Sequence, residues 1–243
     1  MIVLFWDIDG TLLSTGRAGM IAWNDSAREL SGRDFDLAAV RTAGLTDYQI
    51  AVRTLEMLDA EVTPANIERL LRRYEELLPS ALPRRQGRVL DNVREILEHI
   101  RDRSDVRSYL LTGNTRAGAR AKLTYYDLAH FFDDGAFAED TGARATIAAR
   151  ALELAQQAGP VGEETIFVIG DTPHDIECAK AIEAKTIAVA TGGYSVEELR
   201  PYNPWRLFET LPAPREFVRL IEGPVRAWPA RAEGGGREIG REA

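Results

Sequence analysis

Apolar residues gather along this chain in two rhythms. Four short, nearly unbroken runs stand out: Ile2-Val3-Leu4-Phe5-Trp6, Tyr109-Leu110-Leu111, Ile166-Phe167-Val168-Ile169 and Thr186-Ile187-Ala188-Val189. Continuous rather than alternating hydrophobicity marks strands buried on both faces, as in a parallel sheet covered by helices. Between the later runs the spacing turns helical. Residues 88–100 place Val89, Leu90, Val93, Ile96, Leu97 and Ile100 on one stripe. Residues 115–128, the alanine-rich 144–158, and 173–183 with Pro173 in the first turn predict three more helices. A further strand is expected at Ala136-Phe137-Ala138. Strands alternating with helices predict an α/β fold, a Rossmann-like doubly wound parallel sheet.

The interval between the first run and Gly87 breaks that alternation. It shows no clear strand, and Thr63 followed by Pro64 reads as an N-cap and first helical position. Beyond them Ile67, Leu70, Leu71, Tyr74, Leu77 and Leu78 keep helical spacing. Roughly seventy helical residues in one connection exceed any ordinary loop, so residues 15–86 are expected to form an inserted helical subdomain. Residues 1–14 and 87–225 then make the core. Residues 226–243, with Gly234-Gly235-Gly236, are expected to be a flexible tail.

Composition narrows the function classes. The 243 residues suffice for a full hydrophobic core, and 45% hydrophobic with 28% charged residues is ordinary for a globular chain. A net charge of −8 and a pI near 5.1 argue against binding to nucleic acid or to an anionic membrane. The longest early apolar run is too short to span a bilayer and lacks the basic flank of an export signal. Cys178 is the single cysteine, which suits a reducing compartment, and a cytoplasmic location is expected. Only Lys122, Lys180 and Lys185 are lysines.

The first strand runs into Asp7-Ile8-Asp9-Gly10-Thr11. Ligands of open α/β sheets bind beyond the carboxyl ends of the strands, where these carboxylates would sit. Alternation puts Asp7 and Asp9 on one side with Ile8 turned to the core, and Gly10 lets the backbone turn sharply. Two carboxylates so close need a cation or a shared proton, and Mg²⁺ prefers oxygen ligands. The run at 166 ends similarly, in Gly170-Asp171-Thr172-Pro173-His174-Asp175. If the two strands are neighbours, Asp171 joins Asp7 and Asp9 around one ion. Asp175 falls in the first turn of the next helix, where the dipole favours it, and either reaches the ion through water or orients its neighbours. Between these motifs, Thr112-Gly113-Asn114 closes the second strand, offering a hydroxyl and amides to phosphate oxygens.

In this order the three segments resemble the first, second and fourth motifs of the haloacid dehalogenase superfamily. The helical interval stands where that family carries its first type of cap. The chain looks most like the phosphoglycolate phosphatase and β-phosphoglucomutase branch. The resemblance implies a Mg²⁺-dependent phosphatase acting on a small phosphorylated metabolite. Asp7 is implied as nucleophile, forming an aspartyl phosphate, and Asp9 as general acid and base. The metal is implied at Asp7, Asp171 and the Asp9 backbone carbonyl, and phosphate oxygens at Thr112 and Gly113.

One element departs from that pattern: the family's Lys-Pro pair is absent. Arg144, at the start of a helix, is the favoured substitute. Lys122, inside the preceding helix, is the second candidate, and there is otherwise expected to pack against the surface or an acidic neighbour. Asp9 argues against a dehalogenase, which lacks that second aspartate. The absence of any lysine before Lys122 excludes the Schiff-base chemistry of phosphonoacetaldehyde hydrolase. A β-phosphoglucomutase-like isomerase and a non-catalytic scaffold remain the competing readings. His174 is expected to be a polar first-turn residue, and His99 and His130 to lie on helix surfaces or ends. Cys178 is expected to be a buried small hydrophobe. Thr46 and Asp47 are expected to cap a helix, and Arg41 is a candidate contact for a second anionic group on the substrate.

Overall fold

A computed structural model describes residues 1–223, except for Arg41, Asp133, residues 139–142, residues 163–164 and the side chain of Ala39. The expected tail, the candidate contact at Arg41 and the segment leading to Arg144 lie outside these residues.

Six parallel strands form the core sheet: β1 (Ile2–Trp6), β4 (Val106–Leu111), β5 (Gly135–Ala136), β6 (Ile166–Gly170), β7 (Lys185–Val189) and β8 (Arg206–Phe208). Their spatial order is β5-β4-β1-β6-β7-β8. The chain therefore builds outward from β1 in both directions, and the switch point lies at β1. Trp6 is level with Leu110 on one side and Ile169 on the other, so three strand ends open onto one crevice.

Every residue of β1 is buried, which is why its run has no polar position. Period-two alternation divides it between two cores. Leu4 and Trp6 pack with Ile96, Leu97 and Phe217, from α4 (Val93–Arg101) and α9 (Pro214–Glu222). Val3 and Phe5 pack with Ile147, Ala151 and Ala179, from α6 (Arg144–Gln157) and α7 (Pro173–Ala181). The other core helices are α5 (Arg116–Tyr125) and the short α8 (Val196–Leu199).

Three helices, α1 (Ala18–Ser31), α2 (Asp47–Met57) and α3 (Pro64–Ala81), make a separate unit with its own apolar cluster. Thr63 caps α3 by accepting from Asn66 N–H, and Pro64 follows at its first turn. Ile67, Leu70, Tyr74 and Leu78 are buried, while Leu71 and Leu77 are half-buried at the edge of the stripe. Trp23 stacks on Tyr74 with ring centroids 4.2 Å apart, joining α1 to α3.

Three sequence expectations change here. The interval after the first run does hold a strand, β2 (Leu13–Ser14), and the expected helix at 88–100 begins instead with β3 (Arg88–Val89). The two pair antiparallel, Leu13 with Val89 and Ser14 with Arg88. Asn92 then sits in the left-handed region at φ 64° and donates to Leu211 O, which delays α4 to Val93. The expected strand at 136–138 is observed one residue earlier, at Gly135–Ala136.

Candidate active site

Strand β1 delivers Asp7 in ladder geometry, its amide donating to Ile169 O at 3.0 Å. Ile8 is fully buried behind it, and Gly10 turns the chain at φ 85°. Strand β6 delivers Asp171 next door, where it accepts from the Thr11 hydroxyl. Asp175, one helical turn further, accepts from Thr172 N–H and Oγ1 at 3.0 and 2.7 Å. Oxygens of Asp7, Asp171 and Asp175 lie within 4.8 Å of one another, and all three residues are buried.

This crowding changes their acidity. Burial first, then the Asp175 charge, push Asp7 up to about 7 against the opposing pull of Arg144. Burial and the charges of Asp175 and Asp7 likewise hold Asp171 well above the usual carboxylate range. Asp7 and Asp171, both reluctant to ionise, make with the buried Asp175 a donor set for a hard cation, which would replace the missing proton. The backbone gives way around them: a Cβ at Gly10 would stand 2.5 Å from Asp171 Oδ2, and one at Gly192 only 1.7 Å from it.

Asp9 has a different environment. Its carboxylate is 42% exposed and accepts from Lys122 Nζ at 2.5 Å and Asn114 Nδ2 at 2.9 Å. Asn114 also donates to Thr112 Oγ1 at 2.8 Å, while Thr112 hydrogen-bonds Asp7. Lys122 is buried, not on the surface. Burial works against its charge, but Asp9, Tyr74 and Asp47 outweigh that and hold the ammonium protonated well above the ordinary lysine value.

Arg144, the favoured basic residue, starts α6 and reaches Asp175 Oδ1 at 2.8 Å and Gly44 O at 3.1 Å. A Cβ on Gly113 would lie 3.0 Å from Arg144 Nη2, so guanidinium and Gly113 backbone are close neighbours. The two candidate bases thus occupy opposite flanks of one cavity of about 360 Å³, which Asp7, Asp9, Gly113, Asn114 and Asp171 also line. The helical unit supplies its other wall. Asp47 N donates to Gly113 O at 2.7 Å, and Asp47 Oδ2 accepts from Thr115 N–H at 2.8 Å.

Over residues 4–180 the sequence matches the profile of the haloacid dehalogenase-like hydrolases. The chain belongs to that family. Among curated proteins no relative matches it. Solved structures share the fold of this hydrolase at low identity. CbbY from Rhodobacter sphaeroides, in complex with phosphate, superposes with a TM-score of 0.71 at 18% identity, covering 86% of this chain and 95% of that one. A predicted phosphoglycolate phosphatase from Haemophilus somnus gives 0.67 at 17% identity, over 86% and 94%. A proposed β-phosphoglucomutase from Thermotoga maritima gives 0.61 at 21% identity, over 91% and 99%.

The hydrolase brings Asp7, Asp9, Thr112, Gly113, Arg144, Asp171 and Asp175 together at the strand ends. It also adds residues that the motifs did not name. Lys122, the second candidate for the family's basic residue, is brought in by α5, where Thr115, Gly118 and Lys122 are spaced three and four apart on one face. Gly118 leaves that face open, with Asp47 Oδ2 3.4 Å from where its Cβ would be. Thr46 caps α2 in a capping box with Gln49, and Asp47 goes beyond capping to bond the core. Burial and its neighbours leave Asp47 raised to about 6, Lys122 and Thr115 N–H pulling the other way. His174 is a half-exposed first-turn residue 3.5 Å from Glu177, and His99 and His130 are exposed. Cys178 is buried, its thiol pushed up to about 12 by burial. Among the described residues no helix is long and apolar enough to cross a membrane.

Proposed function

We propose that this hydrolase is a Mg²⁺-dependent phosphatase of small phosphomonoesters that works through an aspartyl phosphate on Asp7. The reading rests on the division of labour between Asp7 and Asp9. Asp7 faces other carboxylates and Asp9 faces a lysine and an amide, so two like groups are prepared for different tasks.

In this mechanism Arg144, Thr112 and the Gly113 amide hold the phosphoryl oxygens, and the helical unit at 15–86 acts as a cap that excludes water. An Asp7 oxygen attacks phosphorus, the ester P–O bond breaks, and Asp9 donates a proton to the departing alcohol oxygen. Asp9 then takes a proton from a water molecule, whose oxygen attacks phosphorus and frees Asp7 with release of inorganic phosphate. Mg²⁺ held by Asp7, Asp171 and the Asp9 carbonyl would supply charge neutralisation between the phosphoryl group and its anionic surroundings. Lys122 and Asn114 fix the Asp9 carboxylate at the leaving-group position, and Arg144 holds Asp175 beside the metal site. The lone buried thiol fits a cytoplasmic enzyme.

The test is phosphate release from a panel including phosphoglycolate and hexose phosphates, with Mg²⁺ or EDTA, for wild type and Asp7→Asn. Turnover that needs both Mg²⁺ and Asp7 supports the reading. Conversion of a hexose phosphate without net phosphate release would point to a mutase instead, and inertness on every member to a scaffold.

A further inference from the structure

Every polar atom of Asn114 is engaged. Its N–H donates to Thr112 Oγ1 at 3.3 Å, and its carbonyl accepts from Ala138 N–H at 3.0 Å. Its Nδ2 donates to Asp9 Oδ2 at 2.9 Å and Thr112 Oγ1 at 2.8 Å, and its Oδ1 accepts from Lys122 Nζ at 2.5 Å. The carboxamide cannot be reversed, because its oxygen would then face the Asp9 carboxylate and its NH₂ the lysine ammonium. Asn114 is buried, so water does not compete for these partners.

The backbone that aims this side chain is held from the cap. Asp47 N–H donates to Gly113 O at 2.7 Å, and Asp47 Oδ2 accepts from Thr115 N–H at 2.8 Å. Gly113 O lies in the peptide plane before the Asn114 Cα, and Thr115 N–H in the plane after it. One residue therefore grips both planes, and with them the two backbone dihedrals that set the Asn114 Cα–Cβ direction. A Cβ on Gly113 would stand 3.1 Å from Leu45 O and from Thr46 Cα, so glycine lets the cap backbone come close. Thr115 caps α5 with its own hydroxyl, accepting from Gly118 N–H at 3.1 Å, which leaves its N–H outside the helical ladder. Capping α2 does not require the Asp47 carboxylate, since Thr46 does that. A carboxylate only 5% exposed is costly to keep, and its contacts give it this task instead.

We infer that Asp47 is a positioning residue for the proton transfer: it fixes the backbone on both sides of Asn114 and so directs the carboxamide onto Asp9. The inference rests on the phosphatase reading, in which Asp9 protonates the departing alcohol. Asp47 acts through Asn114 rather than on the ester. Asn114 and Lys122 both bond Asp9 Oδ2, which assigns Oδ1 to carry the proton.

Leaving-group chemistry tests it. Release of an alcohol depends on its protonation, whereas 4-nitrophenolate departs without a proton. Asp47→Ala removes the carboxylate and keeps the backbone N–H on Gly113 O. The assay runs in Mg²⁺ at a temperature where every variant is folded. There Asp47→Ala should lower kcat for the best alkyl phosphate of the panel about tenfold more than kcat for 4-nitrophenyl phosphate, with KM within about twofold. Asp47→Asn, which keeps an acceptor for Thr115 N–H, should restore most of the loss. Asn114→Ala should show the same bias, and adding Asp47→Ala to it should not enlarge that bias, because both act on one path. Equal losses on the two esters, an Asp47→Asn enzyme as impaired as Asp47→Ala, or additive effects in the double variant overturn the inference. NMR of the Asn114 side-chain amide reads the same contact without turnover. Its proton signals should move and exchange faster with solvent in Asp47→Ala, and stay near the wild type in Asp47→Asn. That response, in a wild type releasing no phosphate from any ester, leaves the positioning standing and removes the phosphatase. An amide signal indifferent to Asp47→Ala overturns the positioning whatever the turnover.

Discussion

Lys122 Nζ lies 2.5 Å from Asp9 Oδ2, although 113 positions separate the two in sequence. The lysine side chain is 6% exposed and the aspartate 42%, so the pair spans the boundary between protein interior and cavity. Lys122→Met should therefore do more damage to activity than to the fold. It leaves Asn114 Oδ1 without its donor and Asp9 without its cation, a loss of about 1–3 kcal/mol in stability. Turnover should fall at least a hundredfold, about 3 kcal/mol in barrier height, because Asp9, the proposed general acid, loses its support. Steady-state kinetics beside a thermal melt would check this. A Lys122→Met enzyme with near-normal kcat would remove Lys122 from the site.

The carboxylate cluster should make stability depend on pH and, in the proposed reading, on Mg²⁺. Asp7 titrates near 7 in the folded chain against 3.8 unfolded, so the folded state binds the extra proton. That contribution is whole below pH 3.8 and is lost as pH rises through about 7. The rise in melting temperature between EDTA and saturating Mg²⁺ should accordingly grow from pH 5 to pH 8. Asp171→Asn should abolish the Mg²⁺ increment and raise the melting temperature in EDTA at pH 8.

Asp47 links cap to core through two hydrogen bonds, and its acidity allows the one made by its carboxylate to be measured. Its value of about 6 lies above the unfolded 3.8, so its contribution also fades as pH rises through about 6. Asp47→Asn keeps an oxygen for Thr115 N–H and should flatten the stability profile between pH 4 and 7. Asp47→Ala leaves that amide without a partner and should destabilise by about 1–3 kcal/mol at any pH. Denaturant titrations at pH 5 and 8 distinguish the two.

Gly192 is tested by size alone. Its missing Cβ would collide with Asp171 Oδ2, so the carboxylate must shift to admit a side chain there. Gly192→Ala should weaken Mg²⁺ binding at least tenfold with the far-ultraviolet circular dichroism unchanged. Unaltered Mg²⁺ affinity would place the metal away from Asp171.

The chain wrote part of this arrangement plainly. Burial on both faces leaves β1 no polar position, so its limits, Ile2 and Trp6, are visible directly. Thr63 and Pro64 announce α3 because capping is local chemistry. The tandem aspartates, Thr112 and Asp171 are legible because each follows its strand without interruption. Lys122 was harder, since a residue within a helix faces whatever the helix packs on, and only the sheet order decides that. Tyr74 and Asp47 depend on how the cap rests on the core, a relation between segments with no trace in local spacing. Strands β2 and β8 have two and three residues, too few for any periodicity to register.

The antiparallel pairing of Leu13–Ser14 with Arg88–Val89 gathers the outgoing and returning chain into one narrow neck. Everything between those strands hangs from it as a cassette, and none of the six strands of the core sheet passes through it. Removing residues 16–86 and joining the neck with a tight turn would convert it into a hairpin and leave the strand order intact. In the proposed reading the residues that break the ester, Asp7 and Asp9, stay on the core side of this neck, and the helical unit that excludes water hangs wholly on the other. On that reading, grafting a different helical unit at this neck should change which alcohols are accepted and leave the chemistry at Asp7 in place.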